Sequence, residues 1–211
     1  MPLRACGYLT LIVEFTGAAL IFWITLIVSL AGLFVSPSLI EKAALRPYWL
    51  VRRREYEKLV SSGLVHADLG HLLFNMLTFY FFAFGLQRQI GSMSFVLLYV
   101  LGLTASELGT YLKHRDDPDY ATLGASGAIS AVLFAYIVYF PGTELFLLFV
   151  PIPIPAPLFA VAYLAYTYYS ARRARGRINH DAHLGGALTG LAFVALRDPD
   201  AYRRLFEMVS G

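Results

Sequence analysis

One cysteine stands among 211 residues, Cys6. A lone thiol near the start excludes an intrachain disulfide, a cysteine-built metal cluster and a dithiol redox pair. Charge is scarce too, at 15% of residues, against about 25% in an ordinary soluble domain. The arginines fall in short loops between apolar runs and do not line one face, so no nucleic-acid partner is expected. There is no HExxH pair, the usual helical signature of a catalytic zinc. Internal repeats and low-complexity stretches are absent.

Apolar residues fill the gap: 58% of the chain is hydrophobic and mean hydropathy is +0.61. That surplus exceeds what a soluble core needs and points to several membrane spans, each of about 20 apolar residues. The runs predict six spans, roughly 8–35, 70–86, 94–112, 124–140, 155–170 and 181–196, in one all-α membrane domain covering 1–211. The first run is too long for a signal-peptide core and reads as a retained span, with Glu14 inside it. Between the first two spans, residues 36–69 mix charge with Tyr48, Trp49 and Tyr56, the composition of short helices lying among headgroups. Prolines at 151, 153, 155 and 157 forbid a regular helix there, so the fifth span is expected to begin near Pro155–Pro157.

Six spans carry a parity argument. The second, fourth and sixth start on the same membrane face, and the unusual polar residues lie at those three starts. The second opens with His66 and His71 and holds Asn75 a turn deeper; the fourth opens with Gly124-Ala125-Ser126-Gly127-Ala128; the sixth opens with His180, Asp181 and His183. A serine needs a base within hydrogen-bond reach to act as a nucleophile, and His183 is the candidate. The Ser126 N–H in an unsatisfied first helical turn could receive an oxyanion. His71 and Asn75, four apart on one face, could add side-chain donors. Each has a plainer alternative: Asn75 as interhelical glue, His180 and His114 as interfacial groups, Asp181 as a helix cap. His66, His71 and His183 could also be imagined around zinc, but no cysteine ligand or HExxH pair supports it.

Four stretches now resemble the rhomboid intramembrane serine proteases: SSGLVHADLGHLLFNM (61–76), GASGA (124–128), VPIPIPAPLFAVAYLAY (150–166) and INHDAHLGGALTGL (178–191). The resemblance runs from the first span to the last. It implies a rhomboid-like six-helix bundle and a Ser126–His183 dyad without a catalytic acid. The oxyanion site it implies comprises His71, Asn75 and the Ser126 N–H, with Gly124 and Gly127 supporting it. His66 becomes a structural residue, and Gly186 and Gly190 the close contact between the sixth and fourth helices. The implied substrates are transmembrane helices of other proteins in the bilayer, reached past the fifth helix, with no cofactor and no metal. A non-catalytic relative that binds membrane helices is the alternative, though such relatives lose the serine or histidine and both stand here. The resemblance further implies a plasma-membrane protein with its active face opening to the extracytoplasmic side, whereas the excess of Lys and Arg on that face points to the cytoplasm. Three positions depart from the family. Glu57-Lys58 replace its Trp-Arg pair, and Ser130 stands where an aromatic usually packs on the catalytic histidine.

Overall fold

The computed structural model describes residues 16–147, 150–173 and 178–210. The start of the first expected span, with Glu14, lies outside the described residues, as do Arg175 and Arg177. Helix α1 (Gly17–Phe34) opens on Thr16, whose hydroxyl accepts from the Ala19 N–H at 3.3 Å. Three short helices follow, α2 (Pro37–Ala43), α3 (Pro47–Arg52) and α4 (Lys58–Ser61), then a 3-10 turn over Ser62–Leu64. Proline begins α2 and α3, where its missing N–H costs nothing.

The long helices are α5 (Leu69–Ile90), α6 (Ser92–His114), α7 (Ser126–Tyr139), α8 (Ala156–Arg173) and α9 (His180–Arg197), and α10 (Pro199–Ser210) closes the chain. By length and composition α1, α5 and α6 can each cross a membrane, and α7 is a shorter apolar helix. Every residue of α7 after Ser126 is buried except Tyr136 and Tyr139. It is therefore the central post, hydrophobic all round because neighbours surround it. Phe79, Phe95, Phe134 and Leu98 fill the spaces between it and α5, α6 and α9. The outward faces stay apolar, with Trp23, Phe81, Leu97 and Val161 all more than half exposed. A lipid-facing surface of a spanning bundle has this composition.

The all-α expectation needs one correction. Residues Glu144–Leu147 and Val150–Pro155 form an antiparallel hairpin, β1 and β2, with Leu145 opposite Ile154 and Phe146 opposite Pro153. Proline on alternate positions leaves the residues between free to donate, so β2 can be an edge strand although it cannot be a helix.

The first loop is fastened to the segment that enters α7. Leu45 and Thr122 exchange both backbone bonds at 2.9 Å, and the Gly124 N–H donates to the Ser62 carbonyl at 2.9 Å. Where the family has Trp-Arg, the Lys58 ammonium donates to the Lys42 carbonyl and so ties α4 to the end of α2.

Candidate active site

Close backbone approach builds the site. A Cβ placed on Gly186 would overlap the Gly127 carbonyl, and one on Gly190 would overlap the Ala131 carbonyl. Helices α9 and α7 therefore touch backbone to backbone over two turns. On the other side, Gly127 leaves room for the Ser106 side chain of α6. With those contacts made, the first turns of α7 and α9 lie side by side, and Ser126 and His183 are both half-buried there.

The turn before Ser126 needs its glycine twice over. Gly124 has φ +111°, and an added Cβ would sit 2.6 Å from the His71 ring. Only glycine suits that backbone and that proximity. Helix α5 contributes His71 because Asp68 caps it, its carboxylate accepting from the His71 N–H at 2.8 Å. Asn75 is buried, and its Nδ2 donates to the His71 carbonyl at 2.9 Å. An amide nitrogen carries two hydrogens, so one remains for another acceptor.

His66 is fully buried and lies edge-on to His71, ring centroids 4.9 Å apart. Its Nε2 accepts from the Ala125 N–H at 3.5 Å, and its Nδ1 is 2.8 Å from the Ser29 hydroxyl. Ser29 in turn donates to the Leu64 carbonyl at 2.8 Å. The relay sets the tautomer, with Nδ1–H donating to Ser29 and Nε2 left as the acceptor. Burial lowers the His66 pKa to about 3, helped by the neighbouring His71. A neutral ring is what the relay requires.

Asn179, and not Asp181, caps α9: its Oδ1 accepts from the Ala182 N–H at 3.0 Å. Asp181 instead pairs with Lys113 at 2.8 Å, and Lys113 also donates to the Ala171 carbonyl. That lysine joins the ends of α6 and α8 to the start of α9. His180 meets Tyr166 edge-on, and its ring centroid is 6.0 Å from that of His183.

Across the site, the Tyr163 ring of α8 runs nearly parallel to that of His183, planes 16° apart and centroids 6.4 Å apart. Among the described residues the Ser126 hydroxyl and the His183 ring close no direct hydrogen bond. Sequence reasoning passed over Ser29, Asn179 and Tyr163. Ser29 and Tyr163 work through His66 and Ser130, more than 30 residues away, so no local motif marks them, whereas Asn179 carries a local signal as the cap of α9.

The Rhomboid domain family matches residues 53–198. The chain belongs to the rhomboid family. Among similar proteins, RHOMBOID-like protein 12, mitochondrial, of Arabidopsis thaliana is 26% identical over 193 residues, 82% of this chain and 57% of that protein. Rhomboid protein 1, mitochondrial, of Saccharomyces cerevisiae is 30% identical over 138 residues, 64% of this chain and 40% of that protein. The rhomboid-type protein YdcA of Bacillus subtilis is 36% identical over 87 residues, 41% of this chain and 43% of that protein. The chain thus spans about half the length of these rhomboid relatives. Two of the three carry mitochondrial names. Membership and the apolar helices make this a membrane protein, but a plasma-membrane location finds no support among these relatives.

Proposed function

We propose that this rhomboid is an intramembrane serine endopeptidase, that its bundle crosses the bilayer six times, and that it cuts transmembrane helices of other proteins. One observation carries the reading: the backbone contact of Gly186 with Gly127, which sets the base-bearing turn of α9 beside the serine-bearing turn of α7. In the proposed reaction His183 takes the Ser126 hydroxyl proton as Oγ bonds to the scissile carbonyl carbon. The carbonyl π electrons move onto oxygen, and the oxyanion is met by the Ser126 N–H, His71 and the free N–H of Asn75. Collapse breaks the C–N bond, and the proton on His183 passes to the leaving amine. Water then repeats the sequence on the acyl-enzyme, giving the carboxylic acid and restoring Ser126.

Water must reach this site, and helix starts near one surface suit that need. On the family pattern the mouth opens to the extracytoplasmic side. Cysteine-accessibility mapping of residues 115–119 in sealed vesicles tests that orientation.

The chemistry is tested by labelling the detergent-solubilised protein with a fluorophosphonate and by following cleavage of a transmembrane-helix substrate in liposomes. The wild type should label and cleave, and Ser126→Ala and His183→Ala should do neither. Undiminished cleavage by Ser126→Ala would end the protease reading. A folded wild type that binds the helix but neither labels nor cuts would favour a non-catalytic binder.

A further inference from the structure

We propose that Tyr163 of α8 is the positioning residue for His183, and that Ser130 of α7 holds it there through a hydroxyl–hydroxyl bond. The inference rests on the protease reading and concerns how its base is kept in line.

Ser130 lies four residues after Ser126, on the same face of α7 and one turn deeper. It is buried at 4% exposure, and its hydroxyl is 3.0 Å from the Tyr163 hydroxyl. A hydroxyl buried in an apolar bundle needs a partner, and the half-buried Tyr163 supplies one to Ser130 across the α7–α8 contact. With its oxygen fixed, the long axis of the Tyr163 ring is held in one direction, and the flanking rings set its plane. Phe134 and Phe159, at 5.5 and 5.7 Å between centroids, wedge it from α7 and α8. The remaining direction faces His183, with the parallel geometry already described. Offset parallel rings at such separations attract.

An aromatic at position 130 could have reached His183 from α7 itself. Ser130 is too small for that. It does, however, leave a space that a ring from the neighbouring helix can enter, together with a hydroxyl to receive it. The small residue and the incoming tyrosine form a matched pair: contact with the base passes from one helix to the next.

The experiment measures the fluorophosphonate labelling rate at Ser126, which reads the nucleophile and base with a small probe, beside kcat and KM for a transmembrane-helix substrate. Tyr163→Phe keeps the ring and frees it; Ser130→Ala removes the other half of the bond. Each should slow labelling about three- to tenfold and lower kcat with KM little changed. Combined, they should cost no more than either alone, because both remove one hydrogen bond. Tyr163→Ala should be slower still, and Ser130→Phe added to Tyr163→Ala should recover most of the rate by returning a ring from α7. Tyr163→Phe and Ser130→Ala delete only a hydroxyl, so they decide the matter even where Tyr163→Ala fails to fold. Wild-type labelling by folded Tyr163→Phe and Ser130→Ala proteins would overturn the inference alone, as would a loss confined to KM. A wild type that does not label would overturn the protease reading and this inference with it.

Discussion

The Asn179 amide donates to the Thr122 hydroxyl at 3.1 Å, joining the residue that starts the histidine helix to the segment that leads into the serine turn. The same amide lies 2.9 Å from Thr110 of α6, and its oxygen caps α9. One side chain thus fixes the start of α9 against two elements that do not belong to it. The register of the proposed Ser126–His183 pair depends on this anchoring, because among the described residues neither closes a hydrogen bond to the other.

Asn179→Ala removes the cap and strands two threonine hydroxyls, Thr110 being fully buried. Cap loss alone costs about 0.5–2 kcal/mol, and an unsatisfied buried hydroxyl adds about 1–3 kcal/mol. The thermal midpoint in detergent should fall clearly. Asn179→Asp keeps the capping oxygen and loses the donor, so it should retain most stability while labelling at Ser126 slows. Equal midpoints for wild type and Asn179→Ala would show that α9 is held by packing alone.

Gly186 and Gly109 offer a matched comparison. A Cβ on Gly186 meets the Gly127 backbone, which cannot give way, whereas one on Gly109 meets Asp181 at ordinary distances, its Cβ at 3.6 Å and its carbonyl oxygen at 3.9 Å. Gly186→Ala should destabilise by about 1–3 kcal/mol or more through overpacking and should abolish activity by parting α7 from α9. Gly109→Ala, within α6, should be neutral or gain up to about 1 kcal/mol from helix propensity. Paired melting curves and labelling rates check both. An active, stable Gly186→Ala protein would contradict the backbone contact.

Loss of Asn75 should leave the fold largely intact, since its one bond is to its own helix. If the second N–H meets the oxyanion, Asn75→Ala should lower kcat about 10²–10³-fold with little change in KM. A variant with unchanged kcat would assign Asn75 to packing only.

Much of this arrangement could be read from residue order, and the part that could not has a physical reason. Run lengths and caps give α5, α6, α7 and α9 to within a few residues, because apolar period and helix ends are local properties. Parity leads one to expect His71, Ser126 and His183 on one face, and the approach of Gly124 to the His71 ring and of Gly186 to Gly127 draws the three helix starts together. The hairpin went unseen because alternating prolines say what β2 cannot be, while its pairing with β1 is a tertiary fact. Asp181 looked like the cap of α9, but Asn179 is better placed and Lys113, 68 residues away, claims the aspartate. Ser130 appeared as a gap in a familiar pattern. Its partner Tyr163 sits on another helix, in a run of tyrosines that gives no hint which one turns inward.

His66 makes a prediction about pH. Its ring is neutral in the fold, with a pKa lowered to about 3 mainly by burial, against about 6.5 in an unfolded chain. Between those values the unfolded chain binds the extra proton, so stability rises with pH across that window. The contribution is complete above about pH 6.5 and is lost progressively as pH falls toward 3. Protonating Nε2 would also cost the Ala125 N–H its acceptor, loosening the backbone one residue before Ser126. Melting in detergent from pH 7 down to pH 4 should therefore show a falling midpoint in the wild type. His66→Gln, which cannot titrate, should start lower, for want of the full relay to Ser29, and fall less steeply. Parallel slopes for the two proteins would mean that His66 is not the group that senses the acid.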